Sequence, residues 1–434
     1  MNKMSFPKIS IVLSKNTIIA SMLIIQVIVI VAKLLNAWYT QSMEGVNVGL
    51  WAVADPPWQA NGTLYKTKPL WGVHYFGDLQ DLLTSAAWAN PWGVSPTQHL
   101  PVGINLVSLF GVFGQSWTAP LFIAISLFSS IFLVHCWTAG ETFATRVLYW
   151  VTLVPLNMTA LLVLDRGNLL LIAIPLMGIA MFHLTKKFEA SPLTLILIAT
   201  AISLKTFLAL PLIVTFVIGS NRLSTIFKLF LTTLLLNLFV MFSYSGSTIG
   251  NFSTFIKTTL NFASQEPAEN ALRTGSSFYR LVLEFIVNKS FADVFLSSLS
   301  VISFFIWMSL VSIVLVMRAI PVWIKLVVSF SSVQMAITGS PYILIWSIIA
   351  VLAIPREIHV EGKETGKSLR GRYAEVIMAI VISFATLVGN LPISNRLLLS
   401  ATLWTVVVLS TIVLYFTNPL NNKGKAALLP QIKI

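Results

Sequence analysis

Runs of roughly 18–20 apolar residues recur along the whole chain, and that length crosses the hydrocarbon core of a bilayer. Of the 434 residues, 56% are hydrophobic and only 10% are charged. About a quarter of the residues in an average soluble domain are charged, so this composition excludes a soluble globular protein. The sequence predicts an integral membrane protein of the all-α class.

We place about twelve transmembrane spans in a single domain, residues 1–434, from the positions of these runs. Two short spans, 192–204 and 206–219, are divided by Lys205 and could instead form one long span, which would invert the topology of everything downstream. The predicted spans are residues 17–36, 117–137, 147–164, 167–184, 192–204, 206–219, 226–243, 293–317, 320–338, 342–354, 374–389 and 397–416.

The distribution of Lys and Arg favours the topology in which the two short spans stay separate. With an internal N-terminus, about twice as many basic residues then lie inside as outside, in agreement with the positive-inside rule. A merged span would move the basic segment 356–372 to the outside. Cytoplasmic anchoring therefore explains the net charge of +13, and nucleic acid is not an expected partner.

Two long loops face outward in this topology, residues 37–116 and 244–292. Both are expected to carry short helices in the membrane interface, where Trp and amphipathic segments are favoured. Residues 355–373 are expected to form a cytoplasmic linker, since segment 356–372 is charged and lacks an apolar pattern. The expected location is the cytoplasmic membrane of a bacterium, with the functional face on its periplasmic or extracellular side.

Two acidic residues follow the first span, in segment 75–81, whose sequence is YFGDLQD. Asp78 and Asp81 are three residues apart, which places both carboxylates on one face of a helix that begins near Gly77. We interpret Asp78 as a general base for an acceptor hydroxyl. Asp81 is also explained as an acid that complements the helix dipole in the first turn.

Two basic residues are expected at the same membrane face. Asp165 and Arg166 lie in a tight turn between two spans, where they could pair with each other, or Arg166 could bind a phosphate with its planar guanidinium. Lys205 is the one charge in a long apolar stretch. It could extend to lipid phosphate, or supply positive charge to a bound phosphodiester.

Other ionisable or polar residues are expected outside from widely separated parts of the chain. His74 and His99 flank the Asp78 segment, but their spacing is not that of a metal site, so we predict no metal ligands. A requirement for a divalent cation stays open, and no other cofactor is predicted. The remaining outward residues are Asp55, Glu266, Glu269, Arg273, Tyr342 and Arg396.

Several short motifs follow one another over residues 17–350: FGDL at 76–79, AA at 86–87, NPW at 90–92, HLP at 99–101, DRGN at 165–168, LK at 204–205 with Pro211, TGSS at 274–277, and SPY at 340–342. In this order they resemble the polytopic GT-C glycosyltransferases, and within them family 87, the polyprenol-phosphate-mannose-dependent mannosyltransferases. Two positions depart from the family pattern, Asp165 in place of Glu and Leu100-Pro101 in place of Pro-Pro.

The resemblance implies a GT-C fold and transfer of a sugar, with inversion, from a polyprenyl-phosphate carrier to an acceptor hydroxyl of a glycan or glycolipid. Asp78 would take the acceptor proton, while Arg166 and Lys205 would stabilise the phosphate leaving group. The expected supporting or acceptor-binding residues are Asp81, His99, Asp165, Asn168, Tyr342 and Arg273.

Two other functions stay open. A secondary transporter or lipid-linked sugar flippase would place polar groups near the bilayer midplane, often in two matching halves, and no such symmetry is visible. A polysaccharide polymerase or ligase would also present outward loops, and it differs from a single-sugar transferase in the length of its product.

Overall fold

The computed structural model is a helical bundle with one two-stranded sheet. Most of the described chain is helical, because the backbone of a chain in lipid must satisfy its hydrogen bonds internally. The structure describes residues 10–44, 78–79, 82–83, 91, 100–112, 115–187, 190–212, 222–265, 277–286, 293–317, 319–336, 341–361, 369–388 and 396–416.

Fifteen α-helices and two 3-10 helices are described over these residues. In chain order they are α1 (Lys15–Glu44), α2 (Pro101–Val112), α3 (Gln115–Trp137), α4 (Phe143–Leu153), α5 (Met158–Arg166), α6 (Leu170–Lys187), α7 (Pro192–Leu204), a 3-10 helix (Thr206–Ala209), α8 (Arg222–Met241), α9 (Thr248–Gln265), α10 (Phe278–Ile286), α11 (Asp293–Val316), α12 (Val322–Met335), a 3-10 helix (Pro341–Trp346), α13 (Ser347–Ala353), α14 (Leu369–Val388) and α15 (Arg396–Phe416).

The prediction of a helical membrane protein is confirmed. Within the described part of the chain, five helices are long and apolar enough to cross a membrane: α1, α3, α8, α11 and α15. Several expose large apolar side chains, for example Phe128 in α3 and Phe239 in α8, which are 72% and 77% exposed. An exposed aromatic face is what a lipid-contacting helix requires, and it would be unfavourable in water.

Three predicted spans differ from the observed helices. Span 147–164 is divided into α4 and α5 near Pro155, because a proline cannot donate the helical hydrogen bond, and Asn157 then caps α5 through its side chain. Span 206–219 begins as a short 3-10 helix, and its residues 213–219 lie outside the described part. Span 342–354 consists of a 3-10 helix followed by the short α13.

Helices also occur in both predicted outward loops. The first loop contains α2, and the second contains α9 and α10. The apolar side of α10, formed by Tyr279 and Leu283, packs on Leu299 of α11. The presence of helices in these loops was therefore expected, although the sequence did not indicate their lengths.

One end of the bundle, called here the sheet end, contains a short antiparallel sheet that the sequence analysis did not predict. β1 (Ser10–Ser14) pairs with β2 (Glu357–Glu361), so part of the supposed linker 355–373 is a strand. The backbone N–H of Lys15 donates to the Arg356 carbonyl at 2.8 Å. The side chains of Glu141 and Arg356 form an ion pair at 2.9 Å.

The relative direction of α3 and α6 shows which residues lie opposite the sheet end. Trp137, at the C-terminus of α3, donates from Nε1 to the Gly178 carbonyl at the middle of α6 at 3.0 Å. Leu133 lies against Gly178 and the Trp137 ring contacts Phe182, one turn farther along α6, so the two helices run in the same direction. Glu141 follows Trp137 closely, so both helices run towards the sheet end. Leu170, the first residue of α6, is eight residues before Gly178, so the N-terminus of α6 lies about 12 Å farther from the sheet end.

Candidate functional site

A hydrogen bond joins two predicted site residues that are 90 positions apart in the sequence. Nδ2 of Asn168 donates to Oδ2 of Asp78 at 2.6 Å. Asp78 is half-buried, and Asn168 is 2% exposed. The structure therefore brings the acidic segment after the first span to the turn between α5 and α6. We call the end of the bundle that carries this contact the Asp78 end.

The turn that presents Asn168 is specified by its own sequence. Helix α5 ends at Gly167, which has a left-handed backbone with φ of 66°. The Gly167 N–H donates to the Leu164 carbonyl, and the Asn168 N–H donates to the Val163 carbonyl. These bonds satisfy the last carbonyls of α5 and reverse the chain within two residues, which glycine allows without strain.

The orientation of the Asn168 amide is fixed by a second bond. Its Oδ1 accepts a hydrogen bond from the backbone N–H of Leu170 at 3.1 Å and so caps the first turn of α6. Because the oxygen of the amide is engaged by the backbone, the amino group must face Asp78. Asparagine supplies a donor and an acceptor on two separate atoms of one side chain, whereas an ionised Asp only accepts hydrogen bonds and Leu can do neither.

The Asp78 segment is anchored by its apolar residues. Asp78, Leu79, Leu82 and Leu83 have helical backbone, as the spacing of Asp78 and Asp81 predicted. Leu79 is 1% exposed and Leu82 is 8% exposed, and both belong to the main core. Leu83 lies against Gly111 of α2. Burial of one face of this turn holds the carboxylate of Asp78 at the edge of the core.

Lys205 marks a break at the end of α7. Its backbone is extended, with φ of −147° and ψ of 104°, and a 3-10 helix starts at the next residue. The connection between α6 and α7 is short, so the two helices form an antiparallel hairpin that returns Lys205 to the Asp78 end. The helix α7 has 13 residues against 18 in α6, so at 1.5 Å per residue it is about 7.5 Å shorter.

Three more predicted residues lie on elements at this end. Asp165 and Arg166 form the last residues of α5, and the 3-10 helix Pro341–Trp346 packs against both α5 and α6. This places the backbone of Tyr342 next to the helix that carries Arg166. The side chains of these three residues lie outside what the structure describes.

The second loop contributes a buried cation that the sequence analysis did not single out as a site residue. Arg280 of α10 is 8% exposed, and its backbone N–H donates to Oγ of Ser277. Burial lowers the pKa of the Arg280 guanidinium, and the nearby carboxylate of Glu284 partly opposes this. A guanidinium kept in a desolvated position interacts more strongly with an anion than one in water.

The other predicted residues fall outside the described part of the chain. Over the residues that the structure does describe, no group of three His, Cys, Asp or Glu side chains could hold a metal ion. The predicted residues for which no placement is described are Asp81, His99 and Arg273, together with Asp55, His74, Glu266 and Glu269.

No protein-family model and no curated protein matches this chain.

Sequence reasoning missed a buried polar network next to Lys205. Asn237 is the one amide in the apolar sequence of α8, and Ser203 stands two residues before Lys205. Nδ2 of Asn237 donates to Oγ of Ser203 at 2.8 Å. The available signal was the rule that a polar side chain inside a membrane span needs a partner and has a reason to be there.

Proposed function

We propose that this protein is a membrane glycosyltransferase of the GT-C type with about twelve spans. It transfers a sugar, for which mannose is expected, from a polyprenyl-phosphate carrier to the hydroxyl group of a glycan or glycolipid. The location is the cytoplasmic membrane of a bacterium, with the reaction on its outer face. One observation carries the proposal, the hydrogen bond between Asp78 and Asn168. These two residues belong to separate motifs, FGDL and DRGN, on which the resemblance to the GT-C glycosyltransferases is based.

The chemistry requires a base on one side of the sugar and positive charge on the other. In the proposed step, the carboxylate of Asp78 takes the proton of the acceptor hydroxyl, whose oxygen attacks the anomeric carbon. The bond from that carbon to the phosphate oxygen breaks, and polyprenyl phosphate leaves with both electrons of the bond. Attack opposite the leaving group inverts the anomeric configuration.

Arg166 and Lys205 are proposed to stabilise the leaving phosphate. The charge on this group increases as the bond breaks, so cations positioned before the reaction stabilise the transition state more than the ground state. A lipid carrier also explains why the cations belong at a membrane edge, because the phosphate of such a donor lies at that depth. The backbone break at Lys205 supports this role, since it ends the helix at the lysine.

Asn168 is proposed to hold Asp78 in the orientation of a base. A carboxylate at the end of a flexible loop would sample several directions, whereas one oxygen of Asp78 is fixed by an amide that is itself fixed by α6. The amide is neutral and does not form an ion pair that would compete with proton transfer.

The test is transfer of labelled sugar in membranes that contain the overproduced protein. Membranes are incubated with a panel of radiolabelled polyprenyl-phosphate sugars, with and without a chelator. Asp78→Asn and Asp78→Ala are expected to lower the rate by about 100- to 10,000-fold at unchanged protein level, because general base catalysis contributes that much. Glu357→Gln, an exposed acid in β2 at the sheet end, is the matched control.

Three results would contradict the proposal in different ways. Full activity of Asp78→Asn would show that Asp78 is not the general base. Uptake of the lipid-linked sugar by proteoliposomes, without a new glycosidic bond, would indicate a flippase or transporter. A product that carries many added sugars would indicate a polymerase or ligase.

A further inference from the structure

Lys205 is placed by a polar clamp made of neighbouring helices. Residues 205–211 lack α-helical backbone inside a stretch that is otherwise apolar. Irregular backbone at membrane depth is stable only where protein surrounds it or where it lines a water-filled cavity. The side chains that hold this segment therefore determine where the lysine lies.

The first part of the clamp is Asn237 of α8, which is 6% exposed. Its Nδ2 donates to Oγ of Ser203 and to the Thr233 carbonyl, each at 2.8 Å. Its Oδ1 accepts a hydrogen bond from the Val102 N–H at 3.2 Å. Asn237 thus joins the start of α2 to the last turn of α7, and both of its polar atoms are engaged.

The start of α2 needs this acceptor. The first N–H groups of a helix have no partner within the helix, and Pro101 at the first position has no N–H to satisfy. The next residue, Val102, still has one, and Asn237 supplies the acceptor. Replacing Asn237 by an apolar side chain would leave the Val102 N–H without its bond and Ser203 without its donor.

Close backbone packing strengthens the same contact. A Cβ atom added to Gly103 would lie 2.5 Å from the Ser203 carbonyl oxygen, closer than real side chains come. The backbones of α2 and α7 therefore touch at Ser203, two residues before Lys205. The second part of the clamp lies beyond the break, where Oγ of the fully buried Ser329 in α12 donates to the Pro211 carbonyl at 3.3 Å.

We propose that Asn237 is a positioning residue that sets the location of Lys205 through Ser203. This rests on the proposed function, since Lys205 is the group that would bind the phosphate of the lipid-linked donor. Asn237 touches neither the donor nor the acceptor. It fixes the last turn of α7, so the lysine leaves the helix at one defined place.

The kinetic test is a double-mutant cycle with the sugar-transfer assay. Asn237→Leu is expected to raise KM for the polyprenyl-phosphate sugar on the order of tenfold, because a small misplacement of a binding group weakens the interaction strongly. KM for the acceptor should change little. In a Lys205→Gln background the same substitution should have almost no further effect on donor KM, because Asn237 acts through the lysine.

A matched control separates positioning from general loss of stability. Asn16 at the sheet end accepts a hydrogen bond from the Tyr149 hydroxyl, so Asn16→Leu also removes a hydrogen-bonded amide, in this case a half-buried one. It is expected to leave donor KM unchanged. The proposal is overturned if Asn237→Leu and Asn16→Leu change donor KM equally, or if Asn237→Leu has its full effect when Lys205 is absent.

A second measurement does not depend on enzymatic activity. The single native cysteine, Cys136, is replaced by Ser, and Lys205→Cys is labelled with a charged, membrane-impermeant maleimide. Asn237→Leu should change the labelling rate several-fold, and Asn16→Leu should not. If wild-type membranes transfer no sugar but this change in labelling rate occurs, the proposed function is wrong, and the proposal that Asn237 sets the location of Lys205 is still supported. An unchanged labelling rate overturns the clamp.

Discussion

The two ends of the bundle hold their charged side chains in different ways. At the sheet end, Glu141 pairs with Arg356, and Nζ of Lys15 donates to the Leu352 carbonyl. At the Asp78 end, a carboxylate accepts a hydrogen bond from a neutral amide, Asn168. An ion pair joins two chain segments by mutual attraction, whereas a neutral donor orients a carboxylate without placing an opposite charge beside it.

This difference suggests a division of roles, in which the charged groups of the sheet end hold the fold together and those of the Asp78 end serve the proposed reaction. The charged groups of the sheet end bring together β1, the turn before α4 and the segment before β2, which are distant in sequence. The Asp78–Asn168 bond also joins distant segments, but the oxygen of that amide is used to fix its direction. Substitutions at the Asp78 end should therefore affect the reaction, and those at the sheet end should affect stability slightly.

Among the substitutions that compare how the two ends hold their charged groups, the largest effect is expected for Asn168→Asp. Aspartate is nearly isosteric and is a good helix cap, so the bond to the Leu170 N–H can be kept. It removes the amino donor and places a second carboxylate against Asp78, where like charges at hydrogen-bond distance repel strongly. The sugar-transfer rate should fall about 100-fold, and the midpoint of thermal unfolding should also fall, because a second buried carboxylate beside Asp78 destabilises the folded state.

Asn168→Ala provides a comparison, because it removes the bond to Asp78 and also the bond to the Leu170 N–H. Loss of this helix cap should lower the midpoint of thermal unfolding. The rate in both variants is measured with the same labelled donor, and unfolding is followed by circular dichroism in detergent. Wild-type rates in Asn168→Asp would contradict the orienting role of the amide.

A smaller effect is expected for Gly103→Ala at the contact of α2 with α7. The new methyl group would lie 2.5 Å from a backbone oxygen, so the helices must separate, at a cost of about 1–3 kcal/mol in the free energy of unfolding. Gly111→Ala in the same helix is the control, since its methyl group would meet only the end of the flexible Leu83 side chain, at 3.3 Å.

Denaturation of both glycine variants by urea in detergent measures this difference directly. If Gly103→Ala is as stable as Gly111→Ala, the two helices can separate without loss, and the contact does not hold Lys205. Donor KM should also rise in Gly103→Ala, because the last turn of α7 moves with the helix.

Much of the fold could be predicted from apolar run length. The predicted span 192–204 coincides with α7, and the predicted span 397–416 coincides with α15 within one residue. The break in the helix at Lys205 and the strand β1 were harder to predict from the sequence, because both depend on contacts with distant segments rather than on local composition. The break at Lys205 is held by Asn237 and Ser329 from other helices, and β1 forms only because β2 lies beside it.

The candidate site was predictable where a motif and the topology agreed. The predicted topology placed Asp78 and Asn168 at one membrane face, and in the structure their side chains form a hydrogen bond. The role of Asn237 was not predictable in the same way. The sequence of a leucine-rich helix does not indicate which neighbouring helix its one amide faces, and this becomes clear only from the hydrogen-bond partners in the structure. The roles of all the predicted site residues stay predictions, and for Asp81, His99 and Arg273 the placement does too.

The smallest effect is expected for Glu141→Gln at the sheet end. The ion pair with Arg356 is lost. The Arg356 side chain is 67% exposed and the Glu141 side chain 10%, so water screens the pair in part, and its loss should cost on the order of 1 kcal/mol in the free energy of unfolding. The sugar-transfer rate and donor KM should equal those of wild type. High salt should weaken the wild-type pair and so reduce even this difference in stability. A large loss of transfer in Glu141→Gln, with the protein still folded, would show that charge at the sheet end also serves the reaction, and the division between the two ends would be wrong.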